Sequence, residues 1–207
     1  MGGIYVSKIK VLNLYAGIGG NRKLWENVEV TAVENNKEIA KVYKHFFPDD
    51  KVIVADAHKY LLDHYKEFDF IWSSPPCPTH SRIRKVFETQ NKPVFPDMKL
   101  YEEILFLKGY FKGLWVVENV KSWYNPLIKP FDVGSHYYWA NFPIPNKIDR
   151  VGRKHFSTIE VKQARKGFDL SNFKTVDKQK VLRNCVEPEF GLYIFNTAFK
   201  DKQMRLK

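Results

Sequence analysis

Short apolar runs recur along the first 120 residues of the chain, and each run gives way to small or polar residues. Runs of this kind, flanked by turn formers, are typical of buried strands in open α/β sheets, where the carboxyl ends of the strands carry function. The candidate strands are Lys10–Leu14, Val28–Val33, Lys51–Val54, Phe68–Trp72 and Leu114–Val117. Helical spacing occurs between them over Lys37–Phe46, 58–65 and Asp97–Tyr110. The pattern predicts an α/β fold with a mostly parallel central sheet flanked by helices.

The second half of the chain has a weaker pattern. Residues 121–146 predict packed irregular structure with a strand near Tyr137–Asn141, and Arg150–Phe156 predicts entry into another strand. A basic segment with little apolar periodicity extends to Lys180 and is typical of a solvated surface. A last helix passes through Phe190, Ile194 and Phe199, and it must pack on the body of the protein to be stable. At 207 residues the chain suits one domain.

Positive charge is concentrated in particular segments. Lys and Arg number 34 against 23 Asp and Glu, which gives a net charge of +11. Residues 147–183 hold eleven Lys and Arg against four Asp and Glu, which gives +7 of this total. A local excess of this size favours an anionic partner through counterion release and electrostatic steering. A membrane surface, or solubility alone, would also explain it.

Cysteine content and hydropathy exclude some classes of protein. Cys77 and Cys185 are the two cysteines, and without a CxxC motif they indicate neither a disulfide framework nor a zinc site, so we expect no metal. No stretch approaches the roughly 18 apolar residues of a membrane span, and the amino terminus lacks a secretory apolar region. We therefore expect a soluble intracellular protein.

The segment around Cys77 is the first candidate for chemistry. Pro75-Pro76-Cys77 follows the fourth predicted strand, which places a thiol where the strand ends. Because each proline fixes its own φ and restricts the residue before it, the backbone there should be stiff. A proline-braced loop with an incidental buried cysteine is the alternative.

Three further strand exits carry ligand-type residues. The glycine-rich turn Tyr15–Gly20 lets a ligand approach the backbone, and a helical pattern begins at Arg22-Lys23-Leu24-Trp25. Glu34 ends the second strand, where such folds hold ribose hydroxyls, although it could also be a solvated side chain. Asp56 follows the third strand and could accept from an exocyclic amine or cap the helix 58–65.

The fifth predicted strand ends in Glu118-Asn119-Val120. A glutamate held against an apolar strand end is partly desolvated, which raises its pKa and suits it to hydrogen-bond donation. It could equally cap a turn at 121–124. Between the two motifs, residues 82–96 are rich in Arg, Lys, Asn and Pro and predict a long mobile loop, which would suit a lid over a phosphate backbone.

In order and spacing, these motifs resemble those of the cytosine-5 methyltransferases, which use S-adenosylmethionine (AdoMet) to methylate carbon 5 of cytosine in DNA. Leu12–Gly20 is similar to the family's cofactor loop LDLFAGIGG, and Pro75-Pro76-Cys77 with Ser81 is similar to its nucleophile loop PPCQxFS. Glu118-Asn119-Val120 matches the ENV motif. Arg153 lies in what looks like the QxRxR motif, and Arg183-Asn184-Cys185-Val186 resembles the final GNSV motif. The match spans nearly the whole chain.

The resemblance implies a Rossmann-like methyltransferase fold with AdoMet as cofactor and a role for each matched residue. Cys77 would be the nucleophile, Glu118 the acid, and Asn119 and Arg153 would position the loop, the acid and the base. The implied cofactor-binding residues are Tyr15, Ala16, Gly17, Ile18, Gly20, Glu34, Asn35, Asp56, Ala57, Pro76, Leu100, Asn184 and Cys185. Nucleic-acid contacts would come from Ser81, Arg82, Arg84, Lys85, Arg150 and Lys154.

Several positions depart from the family pattern. The aspartate of the first motif is Asn13, the glutamine after the nucleophile is Pro78, and the final glycine is Arg183. Val151 and His155 also depart from QxRxR. Only 29 residues, 154–182, separate the last two motifs, where family members usually carry a much longer target recognition domain. We therefore expect a catalytic core over 1–156, a reduced recognition segment over 157–180 and a carboxyl-terminal helix over 181–207 that returns to the core.

The sequence thus predicts a compact DNA cytosine-5 methyltransferase with loose or very short sequence preference. Double-stranded DNA is the expected partner, and a second protein could supply specificity. The expected location is the cytoplasm of a prokaryotic or phage-infected cell. One alternative is methylation of cytosine in transfer RNA, since one branch of the family does this. The other is an inactive relative that binds nucleic acid and regulates a partner.

Overall fold

A computed structural model describes residues 7–86, 92–145 and 158–204, with side chains described to residue 200. The strands are β1 Ile9–Leu14, β2 Val28–Val33, β3 Lys51–Ile53, β4 Phe70–Ser73, β5 Leu114–Val120, β6 Phe131–Val133 and β7 His136–Ala140. The helices are α1 Lys37–Phe46, α2 Ala57–His64, α3 Ile83–Val86, α4 Lys99–Tyr110, α5 Ile159–Lys166, α6 Lys178–Asn184 and α7 Pro188–Met204, with a 3-10 turn at Tyr65–Glu67.

The seven strands form one sheet in the order β3-β2-β1-β4-β5-β7-β6. Strands β1 to β5 pair in parallel, whereas β7 runs antiparallel to both β5 and β6. Strand β4 is buried along its whole length, as near-continuous apolar runs in covered parallel strands require. The strand order reverses between β1 and β4, and this is the point at which open α/β sheets form their ligand crevice. The predicted fold class is confirmed.

Two apolar clusters cover the two faces of the sheet. On one face, α7 packs against Trp25, Phe70 and Trp72, and the Trp25 ring stacks on Phe195 with centroids 5.1 Å apart. On the other face, Ile104 and Leu107 of α4 pack against the central strands. The last helix therefore packs on the body, as its apolar spacing predicts.

The segment after Gly20 forms turns rather than the predicted helix. Trp25 is 3% exposed, and its indole donates to the Gly191 carbonyl at 3.1 Å. Strand β2 begins at Val28, immediately after Asn27 in the left-handed conformation. The segment between Gly20 and Val28 is too short to form a helix and also to place Trp25 in the core.

The basic segment before α6 is not simply a solvated surface. Phe168 and Leu170 are fully buried in a third cluster with Val42 of α1. Gly167 ends α5 with φ at +66°, which turns the chain so that Phe168 can enter this cluster. Helix α6 starts at Lys178, so the expected boundary at residue 180 falls inside a helix.

Two other local expectations are wrong. Glu118-Asn119-Val120 lies within β5 instead of following it, because β7 pairs with β5 as far as Val120. Part of the predicted loop 82–96 is helical, since Arg84 and Lys85 donate their backbone N–H groups to Ser81 and Arg82. None of the described helices is both long and apolar enough to cross a bilayer.

Candidate active site

Cys77 lies just beyond β4, and two sets of hydrogen bonds fix its loop. The Asn119 side chain donates to the Pro75 carbonyl at 2.9 Å, which ties the loop to β5. The Cys77 carbonyl accepts from the backbone N–H groups of His80 and Ser81 at 3.0 and 3.1 Å. Asn119 is 2% exposed and also bonds its own strand at Val120. Asn119 therefore holds the loop and β5 together.

Cys77 and Glu118 lie at the same end of two neighbouring strands, β4 and β5. Burial, and after it the nearby Glu118 carboxylate, raises the pKa of the Cys77 thiol, while the Arg183 guanidinium opposes this rise. Register explains the proximity, because Ser73 at the end of β4 pairs with Val117, directly before Glu118. The structure thus brings the two predicted catalytic groups to one site.

Glu118 is 7% exposed, and its neighbour on the other side is His136 at the start of β7. The Nε2 atom of His136 lies 3.4 Å from Oε1 of Glu118. The predicted partner Arg153, together with Arg150 and Lys154, lies outside the described residues. Sequence reasoning missed His136, which carries no motif and lies one residue before the expected strand.

The cofactor loop follows β1 with Tyr15 and Gly17 both at positive φ, +54° and +55°. The Gly17 N–H donates to Oε2 of Glu34 at 3.1 Å, and the Asn36 N–H donates to Oε1 at 2.9 Å. A Cβ built on Gly17 would meet nothing within 4 Å, so space lies open beside this backbone. Each Glu34 oxygen keeps a lone pair for a further donor. An open glycine turn beside an acidic strand end fits the adenosyl and ribose parts of AdoMet.

The residues that follow α6 pack against the cofactor loop. A Cβ on Gly20 would lie 2.2 Å from the Val186 carbonyl oxygen and 2.4 Å from the Cys185 sulfur, so only glycine fits. Lys166 is 3% exposed, and its ammonium donates to the Cys185 carbonyl and to Glu187. Burial raises the pKa of the Cys185 thiol to about 11, so this cysteine stays protonated. The final motif therefore packs on the cofactor loop.

The other predicted cofactor residues fall into three groups. Asp56 is the N-cap of α2, and its Oδ1 accepts from the Lys59 N–H at 2.9 Å, so the capping alternative holds. Pro76, Asn35 and Asn184 are exposed near their strand and helix ends. The remaining side chains are buried within apolar clusters, which leaves only their backbone for a ligand; these residues are Ala16, Ile18, Ala57 and Leu100.

A fully buried glutamate that the sequence did not single out joins the cofactor and nucleophile sides. Glu103 on α4 accepts from the Tyr15 hydroxyl at 2.6 Å, the Ser73 hydroxyl at 2.5 Å and His58 Nδ1 at 3.0 Å. These donors come from the exits of β1 and β4 and from α2. Burial, followed by the charge of Glu103, raises the pKa of Tyr15, so its hydroxyl remains a donor. In the sequence, the adjacent pair Glu102-Glu103 is typical of a solvated helix face, and for this reason sequence analysis did not single out Glu103.

His80 lies behind the nucleophile loop. It is 1% exposed, and the Tyr124 hydroxyl lies 2.6 Å from its Nδ1. Burial lowers the pKa of His80, so the ring is neutral, and its Nε2 has no hydrogen-bond partner among the described residues. His80 supports the loop through its backbone, since the Trp123 N–H donates to its carbonyl at 3.0 Å.

Among the predicted nucleic-acid contacts, Arg82 and Lys85 are exposed on or beside α3. Arg84 donates to the Lys92 carbonyl at 2.7 Å, and the Lys85 ammonium lies 5.9 Å from the Trp123 ring centroid. Ser81 pairs with Ser122 in an isolated antiparallel bridge. These residues therefore lie in the segment that directly follows the Cys77 loop.

Comparison with known proteins gives a family match. The family model described as "C-5 cytosine-specific DNA methylase" matches residues 9–126, a span that includes the Cys77 loop and Glu118. A curated tRNA (cytosine(38)-C(5))-methyltransferase from Spodoptera frugiperda is 27% identical over 132 residues. That match covers 58% of this chain and 38% of the relative, so the chain spans well under half of the relative's length.

Two solved structures are similar in fold. The Entamoeba histolytica methyltransferase EhMeth matches with a TM-score of 0.50 and 14% identity, covering 94% of this chain and 98% of that chain. A mutant of Spodoptera frugiperda DNMT2 matches with a TM-score of 0.48 and 22% identity, covering 69% of this chain and 54% of that chain. The first of these supports the overall fold described above.

Proposed function

The chain belongs to the C-5 cytosine-specific DNA methylase family, and from this premise we propose that it methylates carbon 5 of cytosine in DNA through a transient bond to Cys77. The observation that carries the proposal is the register of β4 with β5, which places the Cys77 loop and Glu118 at the same end of two neighbouring strands. Asn119 of β5, which binds the loop at Pro75, and Glu34 at the glycine turn support it.

The chemistry assigns one task to each residue. The Cys77 thiolate adds to carbon 6 of the base while Glu118 protonates ring nitrogen 3, which makes carbon 5 nucleophilic. AdoMet, when bound at the Gly17 turn and Glu34, supplies the methyl group that carbon 5 accepts. Water then takes the carbon 5 proton, the ring expels Cys77 as the thiolate, and the nitrogen 3 proton returns to the Glu118 carboxylate, which restores the aromatic base.

A target base inside a duplex must leave the stack, at a cost of a few kcal/mol. Arg82, Lys85 and the basic α5–α6 segment are suited to phosphates, which set affinity and register but read little sequence. Because Phe168 and Leu170 of that segment are buried against α1, they are not free to read bases. A protein partner that supplies sequence specificity fits this arrangement.

A second candidate substrate is transfer RNA. The observation that favours it is the 27% identity to the tRNA (cytosine(38)-C(5))-methyltransferase over 132 residues. The same Cys77 and Glu118 chemistry would serve either nucleic acid, since the reacting ring is the same.

Incubation of the purified chain with labelled AdoMet and duplex DNA, single-stranded DNA or tRNA, followed by nucleoside mass analysis, tests the proposal. We expect 5-methylcytosine from duplex DNA, and Cys77→Ala to lower its formation at least about 10³-fold because the covalent step is lost. Glu67→Gln, at an exposed glutamate before the start of β4, is the control and should keep activity within a few fold.

An active Cys77→Ala protein would remove the nucleophile assignment, and methylation of tRNA alone would move the substrate to RNA. No methylation of any cytosine substrate, together with retained AdoMet binding, would support the inactive relative instead.

A further inference from the structure

His136 lies beside Glu118 because of the register between β5 and β7. Val120 pairs with His136, and Glu118 pairs with Tyr138, so the two ionisable residues are diagonal neighbours on one face of the sheet. Diagonal neighbours in antiparallel pairs are within reach of long side chains. The imidazole Nε2 is 3.4 Å from Oε1 of Glu118. This contact joins two strands that no sequence motif links.

The hydrogen bonding around the ring selects which nitrogen faces the carboxylate. The Ser135 hydroxyl lies 3.0 Å from Nδ1 of His136. A carboxylate oxygen only accepts, so Nε2 carries a proton. Nδ1 accepts from the Ser135 hydroxyl when the ring is neutral and donates to it when the ring is charged, so Ser135, His136 and Glu118 form a continuous chain of contacts.

Glu118 needs a partner of this kind. It is 7% exposed, and a buried carboxylate without donors is strongly unfavourable. Within the described part of the chain, His136 is the group that contacts its oxygens. The neighbouring Lys121 and Asp132 pair with one another, and Lys121 lies 5.9 Å from the ring of Tyr137, which points to the opposite face from His136. Asp132 pairs with Tyr137 across β6 and β7, so this ion pair lies on the other face of β7 from His136.

We propose that His136 is a positioning residue for Glu118: it binds one carboxyl oxygen so that the other is presented to the cytosine ring. The proposal rests on the proposed function, in which Glu118 acts on ring nitrogen 3. It gives to a histidine of β7 the task that the family resemblance assigns to Arg153. An imidazole can be neutral or charged, so it can bind the Glu118 carboxyl whether that group is protonated or ionised. A side chain with a fixed positive charge favours the ionised carboxyl alone.

Kinetics of His136→Ala and His136→Gln on duplex DNA and on tRNA test the role. We expect His136→Ala to lower kcat about 10- to 100-fold with a smaller change in the KM for AdoMet, since Glu118 loses the imidazole that contacts its carboxyl. His136→Gln should recover most of the rate, because its amide N–H can donate to Glu118.

His64→Ala is the matched control, since His64 also contacts a glutamate, Glu67 at 2.7 Å, but on exposed α2. A wild-type kcat in His136→Ala, or a His136→Gln protein as slow as His136→Ala, would overturn the proposal.

A titration of His136 by NMR tests the contact without any substrate. In the wild-type protein the carboxylate favours the imidazolium, so Glu118→Gln should lower the His136 pKa by about one unit. The signal is assigned by its absence in His136→Gln. An unchanged pKa would refute the contact and with it the positioning role. An inactive wild-type protein that still shows this pKa change would count against the proposed function alone.

Discussion

Two buried glutamates at the same end of the sheet differ in how completely they are hydrogen-bonded. Glu103 accepts from three donors at 2.5–3.0 Å, whereas the contact of Glu118 within the described residues is His136 at 3.4 Å. A saturated carboxylate has little to gain from a ligand, and a sparsely bonded one has lone pairs to offer. The difference marks Glu103 as a residue that holds the site together and Glu118 as the carboxyl that has lone pairs available for a ligand.

The donors of Glu103 show what it holds. Tyr15 belongs to the cofactor loop and Ser73 to the last turn before the nucleophile loop, so one carboxylate fixes both loops relative to each other. Preorganised geometry of this kind is a large part of what an active site contributes.

The largest expected effect comes from the reactive side of the comparison. Glu118→Gln should lower methyl transfer about 10²- to 10⁴-fold, the range for loss of a general acid, with little change in melting temperature. The same change should speed alkylation of Cys77 by iodoacetamide near neutral pH, because removing the carboxylate lowers the thiol pKa.

Peptide mass analysis separates Cys77 from Cys185, whose thiol stays protonated. Glu67→Gln, which alters an exposed glutamate paired with His64, should change neither rate. Slower alkylation of Cys77 in Glu118→Gln would show that the two groups do not share a site.

The next effect should appear in stability rather than chemistry. Glu103→Gln places an amide N–H₂ among hydroxyl and imidazole donors and should lower the free energy of unfolding by about 1–3 kcal/mol. AdoMet affinity should fall as well, since Tyr15 loses its anchor.

Glu102→Gln is a close control, because Glu102 is its 60% exposed neighbour and contacts His58 at 3.3 Å; it should stay within about 0.5 kcal/mol of wild type. Urea denaturation and calorimetric AdoMet titration measure both quantities. If both variants lose equal stability, hydrogen-bond saturation of Glu103 is not what matters.

The smallest effect is a pH dependence. The hydrogen bond to Glu103 raises the pKa of His58 above its ordinary 6.5, with Glu102 adding to the rise and Lys99 opposing it. A raised folded-state pKa stabilises the protein most fully below the unfolded value and loses that contribution as pH rises through the folded value. The stability difference between wild type and His58→Gln should therefore be largest near pH 5.5 and shrink by pH 8.5, as measured by urea denaturation. A difference that grows with pH would contradict the assignment.

How far the sequence predicted this site depends on the distance over which each contact acts. The glycine turn, the proline-braced loop and the acidic strand ends all follow apolar runs, so their place at one sheet edge could be read locally. The helix expected after Gly20 was wrong because burial of Trp25 competes with helical spacing there. The basic segment was misread because two apolar residues, Phe168 and Leu170, were enough to dock it on α1.

The sequence by itself determined the parallel strands and their order along the chain, because apolar runs act over a few positions of one chain. Only the tertiary structure decided which donors each carboxylate receives. Tyr15 and Glu103 are 88 positions apart, and His136 reaches Glu118 through the antiparallel insertion of β7 beside β5. Contacts of that range depend on strand order and register, which the local pattern of one strand does not encode.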